Sequence, residues 1–131
     1  MLNMQQHNIL EGILDATFGK GSMQEKTGHA LRHKIGTNGD GRIMLEIRYE
    51  RGVNFNPLDG IQSQKKTLDK DSFNAIGDKI AEVKKLFREE SETTLKVKAL
   101  SDGTSDVTPI SMNRTLVRAR YRANVVYEIS V

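Results

Sequence analysis

The chain has no cysteine. Disulfides, thiolate zinc sites and cysteine nucleophiles are therefore all excluded. No apolar run approaches the roughly eighteen residues that a membrane helix needs, so no membrane span is expected. The opening MLNMQQHNIL lacks the basic start and apolar run of a secretory signal. Internal repeats and low-complexity segments are missing too. So is a strong charge of one sign: 20 Lys+Arg against 17 Asp+Glu leave only +3. Non-specific nucleic-acid binders usually carry a more lopsided surface.

What is present is patterning. A chain of 131 residues, 37% of them apolar, can fill one modest core, so residues 1–131 read as a single domain. The charge is unevenly spread. Residues 111–131 hold four Arg and one Glu, whereas residues 71–110 hold six basic and eight acidic side chains.

In residues 3–18, Ile9, Leu10, Ile13 and Leu14 form one stripe, the mark of an amphipathic helix. Gly19 is a natural stop for it. Residues 19–29 read as a polar, glycine-broken loop. HALRHKI reads as a short strand with Leu31, His33 and Ile35 on one face, and GTNGDG as a turn. In RIMLEIRYE, Ile43, Leu45, Ile47 and Tyr49 alternate with polar residues, as in a half-buried strand.

Residues 52–70 show little periodicity. A structureless connection of that length is uncommon unless functional, so it reads as a lid or assembly arm, with Phe55, Leu58 and Ile61 placed to pin it. A second helix follows, with Phe73, Ile76, Ile80, Val83 and Phe87 on its apolar stripe and Asp71 or Ser72 as cap. TTLKVKAL reads as a strand with Leu95, Val97 and Ala99 inward. SDGTSDVTPISMN reads as a turn-rich link. The expected fold is a two-layer α+β domain, a mainly antiparallel sheet carrying two amphipathic helices.

The chain ends on RTLVRARYRANVVYEISV. Every second residue from Thr115 is apolar or small, and the other set, opened by Arg114, carries Arg118, Arg120 and Arg122. At seventeen residues the strand would reach roughly 55 Å, well beyond the usual length. A domain this small is not expected to cover it alone. Either it bends at a bulge, or its end adds to a neighbour's sheet. Phe55, Tyr127 and Ile129 are then candidate assembly anchors.

The outward sheet face would gather Arg42 and Arg48, Lys96 and Lys98, and Arg118, Arg120 and Arg122, interrupted by Glu46 and Glu50. Forked guanidinium donors suit phosphate or carboxylate. Such a face can be a solvated surface, an assembly surface or a nucleic-acid contact. The aromatics Tyr49, Tyr121 and Tyr127 fall on the opposite face, so a base-stacking RNA reader lacks its platform.

No catalytic, cofactor-binding or metal-ligating constellation emerges. GTNGDGRIMLEI places Asn38 and Asp40 as in a calcium loop, but Gly36 and Ile47 stand where carboxylates are needed. GKGSMQEKTG lacks Walker spacing. His29 and His33 are four apart in a strand or loop rather than a helix. Asp15, Glu46 and Asp78 have no spacing that argues for acid–base chemistry, and no serine lies in a nucleophile elbow. Neither an enzyme nor a cofactor is expected.

The chain size, the helix-then-sheet order and the final RTLVRARYRANVVYEISV strand together resemble the small α+β neck and tail-completion or tail-terminator proteins of tailed bacteriophages. The resemblance implies a structural virion subunit, assembled in the host cytoplasm, that closes into a homo-oligomeric ring and meets other virion proteins. It implies that the long strand and the 52–70 connection make subunit contacts. Arg118, Arg120 and Arg122 would face acidic neighbours or a DNA channel. The alternative is a nucleic-acid-binding module that uses the basic sheet face.

Overall fold

Helix α1, Met4–Phe18, starts on a reciprocal cap. Asn3 Oδ1 accepts from the Gln6 N–H at 2.8 Å, and Gln6 Oε1 accepts from the Asn3 N–H at 3.0 Å. Two orphan helix donors are thereby satisfied. Leu10, Ile13, Leu14 and Phe18 face the core. The computed structural model describes residues 2–18, 24–26 and 29–131, so the stop expected at Gly19 lies outside the described residues.

Among the described residues the sheet has six strands: β1 Gln24–Lys26, β2 His29–Thr37, β3 Ile43–Phe55, β4 Lys96–Ala99, β5 Thr104–Met112 and β6 Val117–Ser130. All described pairings are antiparallel, in the order β1-β2-β3-β6, with β6 then bordered by both β4 and β5. The chain is thus an α+β two-layer domain, a sheet with two helices on one face. The β2–β3 turn is closed by Asn38, whose Oδ1 accepts from the N–H groups of Asp40 and Arg42, each at 3.0 Å. Gly41 supplies the positive φ of 77° that a side chain would resist.

Four elements differ from the sequence reading. Residues 24–26 pair with β2 as a strand rather than forming part of a loop. Residues 52–70 are not a structureless arm. They are the end of β3, a 3-10 turn at Pro57–Asp59, and the start of helix α2, Ile61–Ser91. Asp71 and Ser72 consequently lie inside α2 and cap nothing. Gln64 closes its start instead, donating to the carbonyls of Asn56 and Gly60 at 3.0 Å and accepting from the Asn56 N–H at 3.2 Å. Finally, the expected link after β4 is largely β5, and Ala99 is exposed rather than inward.

Strand β6 alternates buried and open residues along its whole length, as its sequence requires. It neither bulges nor leaves the domain. β3 lines one side from Ile43↔Ile129 to Phe55↔Val117. On the other side β4 covers Tyr127–Ser130 by pairing from Lys96 to Ala99, and β5 pairs from Asn124 to Val117. The register irregularity falls on β5, between Pro109 and Ser111. The domain covers the strand because two short strands share the edge that one long partner would otherwise need.

The apolar set of β6 closes two adjoining clusters. One joins α1, the later turns of α2 and Val125, Tyr127 and Ile129. The other joins Val53, Phe55, Val117, Ala119 and Tyr121 under Leu68 and Phe73. Phe55, Tyr127 and Ile129 are 2%, 9% and 2% exposed, so the side chains expected as assembly anchors are core residues of this chain.

Candidate functional site

Both helices pack on the odd-numbered face of the sheet, which leaves the even-numbered face uncovered. Alternation and register place Arg48, Arg118, Arg120 and Arg122 on that face, together with Lys96 and Lys98. Arg114 is not among them. It lies in the β5–β6 turn, where Asn113 Oδ1 accepts from the N–H groups of Thr115 and Leu116 at 2.9 and 2.8 Å. That side-chain turn ends the strand at Val117 instead of Thr115.

At the centre of the face is Glu50, only 6% exposed. It sits opposite Arg122 in the register, and Arg120 lies opposite Gly52. With no side chain at Gly52, Arg120 can lean across toward Glu50. Arg120 Nη1 reaches Glu50 Oε2 and Arg122 Nε reaches Glu50 Oε1, both at 3.4 Å. One half-sunken carboxylate therefore holds two guanidinium groups that remain 46% and 52% exposed. Arg48 is paired with Glu46, and Arg42 with Glu128, each at 2.8 Å.

The remaining cations are less matched. Among the described residues, Arg32, Lys34, Arg118, Lys96 and Lys98 make no ion pair. Arg32 lies directly opposite Arg48 in the register, a like-charge pairing that costs stability unless an anion relieves it. A shallow hollow of about 200 Å³ is bordered by Arg48, Arg122, Thr104, Asp106 and Asn124. The face carries no aromatic ring, since Tyr49, Tyr121 and Tyr127 lie on the helix side. It can therefore offer charge and forked hydrogen bonds, but no stacking.

A second polar centre lies under the helices. The Tyr121 hydroxyl donates to Asp69 Oδ1 at 2.6 Å, and Lys65 Nζ donates to Asp69 Oδ2 at 3.0 Å and to Ser105 Oγ at 2.7 Å. Burial works to raise the Asp69 pKa, but hydrogen bonds with Ser105, Tyr121 and Lys65 outweigh it and hold the carboxyl below its ordinary value. Burial, then the Asp69 hydrogen bond, pushes the Tyr121 phenol upward. This network ties α2 to β5 and β6. It was hidden in the sequence because neither the early turns of α2 nor β5 was legible there.

The other candidates disperse. His33 is buried on the helix side, with Nε2 3.4 Å from Asp15 Oδ1 and its ring 6.2 Å from Phe18. The side chain of His29 lies outside the described residues. Asp15 and Glu46 both border a hollow of about 620 Å³ beside β2, but Asp78 stands elsewhere, exposed on α2. Among the described residues no three His, Asp or Glu side chains gather as a metal site. No helix among them is long and apolar enough to cross a membrane. No protein-family model matches the chain, and neither does any curated protein or solved structure.

Proposed function

We propose that this protein is a non-catalytic assembly subunit that docks an acidic protein surface on the uncovered face of its sheet. The observation that carries the reading is Glu50 shared by Arg120 and Arg122, beside unpaired Arg118 on the same strand. A buried carboxylate fixes two guanidinium forks in place before any partner arrives, and preorganised forks lose less on binding. The resemblance to phage neck and tail-completion proteins supplies the setting: a ring subunit of a virion, in contact with copies of itself and with other structural proteins. The covered β6 moves the expected contact from the strand's end to the strand's charged face.

The test is absolute mass by light scattering over a concentration series at low and high salt. A multi-subunit species at low salt that Arg118→Glu loses while keeping its melting temperature is the expected result. A monomer at every concentration, with no acidic protein partner captured by the face, overturns it.

The nucleic-acid reading is favoured by one observation: Arg118, Lys96 and Lys98 lie on the same face without acidic partners among the described residues. With no stacking ring, binding would follow the phosphates. Titration with duplex and single-stranded DNA would then show affinity falling steeply with salt, by a log–log slope of about −0.9 per phosphate neutralised on duplex.

A further inference from the structure

We propose that the groove between the outer edge of β3 and the first turns of α2 is a docking slot for an extended, acidic segment of a partner protein. The pairing of β3 with β2 ends at Arg51, opposite His29. Residues 52–55 continue the ladder with β6 on their inner side. On their outer side, among the described residues, no strand pairs with them. A strand points its N–H and C=O groups alternately to its two sides, so this edge presents backbone donors and acceptors that no strand among the described residues takes up.

Helix α2 runs beside that edge. Gln64, Thr67 and Leu68 form its wall of a groove of about 410 Å³, and β3 forms the other wall from Arg51 to Phe55. Leu58, in the turn that joins the two walls, is 89% exposed. A strand edge flanked by a helix is a setting in which a peptide adds as a further strand. Backbone bonds then hold it, and alternate side chains are read against the helix.

The charge of the slot selects the occupant. Arg51 is the one charged residue among those that line it. Its guanidinium engages Tyr49, and among the described residues no acidic side chain pairs with it. A carboxylate is the acceptor that suits a guanidinium best. Gln64 Oε1 already accepts from the Asn56 N–H. A second copy meeting this edge by two-fold symmetry would present the same lining residues, none of which is acidic. The complement is therefore a foreign strand with Asp or Glu placed at Arg51.

The experiment uses ¹⁵N-labelled full chain and a set of capped pentapeptides built from Thr, Val and Ile around a central Glu, Gln or Lys. The expected result is amide shifts at residues 52–55 and 64–68. The Glu peptides should bind about tenfold more tightly than their Gln counterparts, the size of one charge-assisted bond. Arg51→Gln should erase that preference. Thr67→Trp, at an exposed helix position, should fill the groove and abolish all peptide binding while the rest of the spectrum is retained. The proposal is overturned if no peptide binds, if the shifts map elsewhere, or if Glu and Gln peptides bind alike. It is also overturned if light scattering finds a dimer that Thr67→Trp converts to monomer.

Discussion

The hydroxyl of Tyr121 donates a 2.6 Å hydrogen bond to Asp69, joining the middle of the longest strand to the early turns of the longest helix. Asp69 also receives Lys65 at 3.0 Å, so its charge is matched and its oxygens are occupied. The folded state lowers the Asp69 pKa below its ordinary 3.8. The sign follows: the native protein binds this proton less readily than the unfolded chain. The contribution is fully present above about pH 4 and is lost as pH falls through the lowered value. Asp69→Asn should cost about 1–3 kcal/mol at neutral pH and should remove part of the acid sensitivity below pH 4. Urea melts of both proteins from pH 2 to 7 measure this, and parallel pH profiles would sink it.

The same bond acts at the alkaline end. Burial and Asp69 raise the Tyr121 pKa from 10.0, so the native state keeps its phenolic proton longer than the unfolded chain does. Stability from this group is complete below pH 10 and declines as pH rises above it. Tyr121→Phe should be less stable by about 1 kcal/mol at pH 7 and should show a shallower decline above pH 10. Thermal melts between pH 8 and 11 decide it.

Gly103 packs against the ring of Phe73. A methyl carbon added there would lie 2.6 Å from Phe73 Cε1 and 3.2 Å from the Asn124 carbonyl oxygen, at a φ of +95°. Crowding and backbone strain both oppose a side chain. Gly103→Ala should destabilise by about 2–3 kcal/mol. Phe73→Leu should recover part of that loss in the double variant, because it relieves the ring contact but leaves the strain. Strict additivity in a double-mutant cycle would show that the ring is not the obstacle.

The elements that show in the sequence are those with one covered face and one open face. Helix α1, the first half of β3, the later turns of α2 and β6 each bury a regular stripe, and periodicity reports it. Residues 61–70 do not, because Ile61 and Leu68 are the only apolar residues in IQSQKKTLDK and they touch only the smaller cluster. Strand β5 lies at the sheet edge, with no residue fully buried, and Pro109 interrupts its pattern. Alternation alone was enough to put Arg48, Arg118, Arg120 and Arg122 on one face. That Glu50 lies between two of them depends on the β3–β6 register, and so on residues seventy positions apart in the chain. Arg51 was equally hidden, since its slot exists only because β2 stops where β3 continues.

The carboxylate of Glu50 and its two arginines should respond asymmetrically to mutation. Glu50→Ala leaves Arg120 and Arg122 half exposed and hydrated, so it should cost about 1 kcal/mol or less. Replacing both arginines by alanine strands a carboxylate that is 6% exposed, which should cost about 3–5 kcal/mol. The triple variant should then be more stable than the double arginine variant. Chemical denaturation of the three proteins measures the order. If the double arginine variant is no less stable than Glu50→Ala, water reaches Glu50 freely and the arginines are not held by it.

The coverage of β6 separates a working strand from a detachable arm. Val125, Tyr127 and Ile129 are core residues, and each contributes about 1.5–3 kcal/mol by burial. Their sum is comparable to the whole stability of an ordinary domain, about 5–15 kcal/mol. Truncation after Asn124 would also remove the only strand that pairs with β4 among the described residues. The truncated chain should therefore show no cooperative thermal transition by circular dichroism and should not remain as a folded monomer. An arm that serves only assembly would behave in the opposite way: its loss would leave the melting temperature nearly unchanged and alter only the mass in solution. A folded, monomeric truncation product would return the strand's end to the assembly role that its length first suggested.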